Sequence, residues 1–160
     1  MATADYFLKI DGLDGEAQDD KHKGEIHVDS FHFGVSNAGS GHTGTGSGSG
    51  KAIVHDLHLS KHSDKASPNL FIACCNGKHF PKATLVVRKA GEKPHEYLKY
   101  TMDNVLISSF GNKSHGGDIA TETFSLNFSK IEYEYVPQNK DGTAGAKIVK
   151  TFDIAQNKAT

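Results

Sequence analysis

Histidine is the residue type whose spacing first suggests chemistry. The chain holds ten, and His55, His58 and His62 fall within one short stretch. Imidazoles can hold a divalent metal, but a tetrahedral site needs four donors converging on one point. The stretch Ile53 to Leu59 reads as a strand, on which His55 and His58 have opposite parity and would project from opposite faces. No cysteine or close carboxylate pair completes the set. No metal is expected, and the imidazoles read as solvent-facing.

The glycines offer a second possibility. Gly39, Gly41 and Gly44 match a G-x-G-x-x-G pattern. That pattern works only where a helix starts inside it and lends its N-terminus to a pyrophosphate. Here glycine and serine continue to Gly50, so no helix can start. Gly50 and Lys51 resemble the end of a P-loop, but Ala52 lacks the magnesium-binding hydroxyl and Thr45 stands where glycine is required. No cofactor is expected. Asp19 and Asp20, with Glu16 and Glu25, lie in a polar stretch beside Lys21 and Lys23 and read as solvated charge. No nucleophile signature or activating partner is evident, so no catalytic residue is assigned and no enzyme is expected.

The elements that would position these residues are mainly strands. Ser67 and Pro68 form a start signal and Gly77 a left-handed stop, which predicts a helix over Pro68 to Asn76 with Ser67 as its cap. Six apolar residues in a row, Leu70 to Cys75, predict that this helix is largely buried and that both cysteines, Cys74 and Cys75, are reduced core residues. Elsewhere apolar residues alternate. In three places the apolar parity slips by one: from Ile26 and Val28 to Phe31, Phe33 and Val35; from Met102 to Val105; and from Phe128 to Ile131. A slip of this kind marks a bulge or bend. Long strands that each bend once suit a coiled sheet. With further strands at Ile53 to Leu59, Ala83 to Arg88 and Ile148 to Ile154, the fold expected is mainly β. It is a compact antiparallel β-barrel of two curved sheets with one flanking α-helix.

The 160 residues suit one domain, taken as 1–160 with a flexible Gly/Ser-rich loop at 37–50. A net charge of −1 gives no field for phosphate backbones, so nucleic acid is not expected as a partner. No apolar run approaches a membrane span, and Met1 to Ile10 lacks the make-up of a signal peptide, so cytoplasmic synthesis without membrane insertion is expected. Ser30, His32, Gly34 and Ser36 share the polar side of their strand, either as an ordinary wet face or as a wall past which another molecule moves. On residues alone, a monomeric or dimeric barrel binding a peptide or glycan remains open.

Several blocks resemble the haemolysin-coregulated proteins (Hcp), the tube subunits of the bacterial type VI secretion system. They are Phe7 to Gly12, Gly15 to Ile26, Gly50 to Leu57, Lys65 to Leu70, Ala73 to Cys75, Gly77 to Ala83, Val87 to Gly91, Glu122 to Phe128 and Glu134 to Gln138. The resemblance implies a single-helix β-barrel that assembles as homohexameric rings. Those rings would stack into a tube, driven by a contractile sheath beneath a spike protein and carrying effector proteins in the lumen. It implies assembly in the cytoplasm and then secretion without a signal peptide, to the extracellular space or a target cell. The aromatic-x-aromatic strand of the family corresponds to Phe31 and Phe33, which makes His32 the lumen-facing candidate, flanked by Ser30 and Ser36. The family's extended loop corresponds to Asn37 to Gly50, with Ser40, His42, Thr43, Thr45 and Ser47 as candidate contacts between subunits or rings. Two departures stand out: the chain has no tryptophan, and His32 is bulkier than the small polar residue expected there.

Overall fold

A computed structural model of the chain describes residues 4–39 and 49–160. Strand β1 (Ala4–Ile10) is followed by β2 (Ile26–Val28), β3 (Ser30–His32), β4 (Val35–Gly39), β5 (Ser49–Val54) and β6 (Leu57–His62). Helix α1 (Ser67–Asn76) then leads into β7 (His79–Lys89) and the long β8 (His95–Lys113). The remaining strands are β9 (Thr121–Asn127), β10 (Lys130–Tyr135), β11 (Ile148–Asp153) and β12 (Lys158–Ala159). The fold is mainly β with one helix, as the alternation predicts. Ten strands form one antiparallel sheet and β4 and β5 form a second.

The parity slips are where the sheet turns. At the first, β2 pairs with β1 and β3 with β6, while the Asp29 amide donates to the Ser60 carbonyl between them. At the second, Asn104 adopts φ 53, the left-handed region that asparagine tolerates better than most residues. Before it β8 pairs with β10, and beyond it with β9. At the third, Phe128 and Ser129 separate β9 from β10. The sheet thus coils on itself, but the ladders do not close: among the described residues no ladder joins β2 to β3 or β6.

The coiled sheet encloses Leu8, Ile26, Leu57, Leu85, Met102, Ile107, Phe124 and Leu126. Leu70 and Ala73 of α1 seal one side of this core. Gly77, at φ 67, stops the helix as expected. Other expectations need correction. The helix begins at Ser67, its cap position is Ala66, and no side chain caps it. The Ser67 hydroxyl instead accepts from the Asp64 amide and donates to Glu122 Oε1 at 2.7 Å. A buried carboxylate without a donor is costly, and the Ser67 hydroxyl supplies one. Nor is the helix largely buried, because Phe71 is 53% and Ile72 50% exposed. Cys75 is exposed and Cys74 only half-buried, so neither is a full core residue; both are free thiols. The strand expected over Ile53 to Leu59 breaks at His55 and Asp56, where the chain leaves the small sheet for the large one.

The stretch from Asp11 to Glu25 folds down over the outer side of β1 and β7. Gly15 lies so close to Glu25 that a Cβ would meet its carbonyl oxygen at 2.4 Å, so only glycine fits. Arg88, only 7% exposed, donates to both carboxylate oxygens of Asp19 at 3.0 and 2.6 Å, and to Asp5 at 3.2 Å. Asp19 is therefore not the solvated charge its neighbours suggested. The Phe7 ring lies 4.9 Å from the same guanidinium and stacks at 4.3 Å on His22. His22 in turn reaches Glu25 at 2.8 Å and Glu96 at 2.7 Å.

Candidate binding face

Four strands present one polar outer face: β3, β6, β9 and the distal half of β8. Antiparallel pairing places directly opposed side chains on the same side of a sheet, so the register lays out the face row by row. In one row His32 opposes His58, His58 opposes Ser125, and Ser125 opposes Ser109. In the next, Ser30 opposes Ser60, Ser60 opposes Thr123, and Thr123 opposes Gly111. The two rows border a shallow hollow of about 380 Å³. Its polar lining is hydroxyl and imidazole.

Hydrogen bonds hold much of this lining in place. The Ser30 and Ser60 hydroxyls bond to each other. Ser125, almost fully buried, bonds to both Ser108 and Ser109. Ser108 also donates to Asp56 at 2.6 Å, and Asn127 donates to the other Asp56 oxygen at 2.9 Å. The Asp56 carboxylate is thereby occupied.

The three lumen candidates lie near one another. Ser30 and His32 share the face, while Ser36 stands on β4 with its hydroxyl 3.2 Å from His55 Nε2. His55 and His32 both approach Gly34: a Cβ there would lie 3.8 Å from His55 Cδ2 and 3.9 Å from His32 Cε1. His55 and His32 thus flank Gly34 while His58 opposes His32 across the ladder, contrary to the opposite-faces expectation, because the strand is broken at His55 and Asp56. His62, further along the same side of β6, pairs with Asp29 at 2.7 Å. Among the described residues no three His, Cys, Asp or Glu side chains converge to hold a metal ion. The loop candidates Ser40, His42, Thr43, Thr45 and Ser47 lie outside the described residues.

Two features escaped the sequence reading. One is the buried ion cluster beneath α1, where fully buried Lys61 meets Glu122 at 2.5 Å and Asp64 at 2.7 Å. No periodicity marks it, since Lys61 shares the parity of Leu57 and Leu59. The other is an uncovered apolar overhang. Leu98, Tyr100 and Met102 continue across the ladder into Tyr135, Tyr133 and Ile131, and then into Ile148, Lys150 and Phe152. Tyr133 is 40% and Ile148 58% exposed. Between this overhang and the β4–β5 hairpin lies an apolar groove of about 310 Å³ lined by Phe33, Val35, Val54, Ile131 and Tyr133. Burial, reinforced by neighbouring Tyr133, pushes the Tyr100 hydroxyl well above the usual phenol range.

Fold and face together define a mainly β protein with open sheet faces and a partly exposed helix. A family model described as type VI secretion system effector, Hcp, matches residues 7–135, and the chain belongs to that family. The resemblance carried by the sequence blocks is thus borne out. The family is one of type VI secretion proteins. Protein hcp1 of Pseudomonas aeruginosa is 44% identical over 158 residues, covering 97% of this chain and 98% of that protein. A solved type six secretion system protein superposes with TM-score 0.93 at 33% identity, covering 99% of this chain and 100% of that one. Hcp1 from Salmonella typhimurium superposes with TM-score 0.81 at 40% identity, with the same coverage. Among the described residues no helix is long and apolar enough to cross a membrane.

Proposed function

We propose that this chain is a non-catalytic tube subunit that assembles as homohexameric rings, which stack into a tube and carry effector proteins in the lumen. Family membership along nearly the whole chain carries the reading. The physical support is that two apolar surfaces, the β10–β11 overhang and the outer side of α1, lie open on the isolated chain. Two different patches on one molecule suit head-to-tail contacts, and such contacts form rings when the rotation closes. Residues 1–160 act as one domain in this reading, and its partners are further copies of itself, the spike protein, the contractile sheath and effectors. The tube assembles in the cytoplasm and is then secreted. Ser30, His32 and Ser36 face the lumen, and the loop carrying Ser40, His42, Thr43, Thr45 and Ser47 contacts neighbouring subunits or rings.

Light scattering on a sizing column tests the assembly. A mass near six times the chain's 17.2 kDa is expected. A monomer or dimer at every concentration would favour instead a small binding module that takes a peptide or glycan on the polar face.

A further inference from the structure

The charge inventory of the polar face points to the kind of cargo it takes. Its central ionisable side chains are imidazoles. His32 and His58 are both exposed, oppose each other and border the hollow, and His55 reaches the same corner past Gly34. The groups around them are readily named. Strand β3 adds Ser30; β6 adds Ser60 and the Asp29-paired His62. Strand β9 adds Thr121 and Thr123, and β8 adds Ser109, Gly111 and Lys113. Asp56, next to His55, is taken up by Ser108 and Asn127, and Glu122 is turned inward to Lys61. The lining of the hollow contains no carboxylate.

With its imidazoles neutral, such a face sets Asp29 and Asp56 against Lys113 and is weakly anionic; with them protonated it is cationic. A neutral imidazole donates one hydrogen bond; an imidazolium donates two and carries charge. Histidine makes this change between about pH 5 and 8. We propose that the face captures passenger proteins through acidic segments, and that capture strengthens as the pH falls. Side-chain carboxylates of the segment meet His32 and His58, while the hydroxyls of Ser30, Ser60 and Thr123 supply further donors. The proposal rests on the tube reading for placing this face in a lumen. There a modest contact repeated round a ring gains by multivalency. The match of charge belongs to the face itself.

Fluorescence anisotropy with a short labelled Glu-rich peptide, at about pH 5.5 and about pH 8, tests it, because glutamate stays largely ionised at both. Binding to the intact protein is expected to be on the order of tenfold tighter at the lower pH, as for two exposed ion pairs. The pH response should vanish in the H32Q/H58Q double variant. It should persist in H27Q, whose exposed imidazole stands edge-on to Phe7 and does not line the hollow. Equal binding at both pH values, a pH response that survives in H32Q/H58Q, or equally tight binding of a matched Gln-rich peptide would overturn the proposal. Light scattering at both pH values separates the two readings. A ring mass with a flat pH response removes the cargo inference alone. A monomer that still binds with the histidine-dependent response keeps the inference and removes the ring.

Discussion

Lys61 and Glu122 show how much can depend on single side chains in a chain of this size. Both are almost fully buried, and each satisfies the other: Lys61 also donates to Asp64 and Ser67, and Glu122 accepts from Ser63 and Ser67. Removing one partner leaves an uncompensated buried charge, which costs about 3–5 kcal/mol. Urea unfolding of Lys61→Met should show that loss, and Lys61→Met combined with Glu122→Leu should recover part of it. Equal stability of the single variant and the parent protein would contradict the buried pair. Asp19 makes a second residue-scale prediction. Its hydrogen bonds from Arg88, helped by the Lys21 amide, hold its carboxyl at about 2 against an ordinary 3.8. A lowered carboxylate pKa stabilises the fold above the ordinary value, and that contribution is lost as the pH falls through the folded one. The stretch from Asp11 to Glu25 should therefore loosen between about pH 4 and 2, visible as amide shifts at Gly15 and Ala17 in NMR spectra. In Asp19→Asn the same stretch should already be looser at neutral pH.

At the scale of elements, legibility followed the physics of periodicity. The three bends could be read because a bulge forces apolar parity to slip, and the slip is written in Ile26, Phe31, Met102, Val105, Phe128 and Ile131. The break at His55 and Asp56 could not, because Ile53, Leu57 and Leu59 keep one parity while the pairing partner changes from β4 to β3 and β9. The polar face was half legible: its strand β3 was seen, but the opposition of His32 and His58 depends on a pairing that no local pattern encodes. Helix α1 misled for a related reason. A run of apolar residues shows that a surface is to be covered, without showing whether this chain or another covers it. Only Leu70 and Ala73 of the helix are covered here, and Phe71 packs just partly, its ring 6.3 Å from Phe110. In the tube reading the open side meets a neighbouring copy. Phe71→Ser with Ile72→Ser should then change stability little, as surface substitutions do, within about 0.5 kcal/mol. The same variant should lower the assembly mass in light scattering. A large fall in melting temperature would instead assign these side chains to the chain's own core.

For the whole molecule, the informative region is where the small sheet stands away from the large one. Strands β4 and β5 pair only with each other among the described residues, and Gly39 is the ladder partner of Ser49. The segment between them, 40–48, therefore starts and ends at adjacent points on one hairpin. Replacing it with a two-residue Asn-Gly turn, the form hairpins favour, would join those points without disturbing either strand. Gly and Ser dominate the segment, so little apolar burial is lost with it. The shortened protein should keep its melting temperature and its ring mass, because the overhang and the α1 surface are untouched. What should change is the next level of assembly: electron microscopy of concentrated protein should show rings where the parent protein forms stacks. Unchanged stacking would remove Ser40, His42, Thr43, Thr45 and Ser47 from the contact between rings. Loss of the ring itself, with the fold intact, would move the loop to the lateral contact between neighbouring subunits.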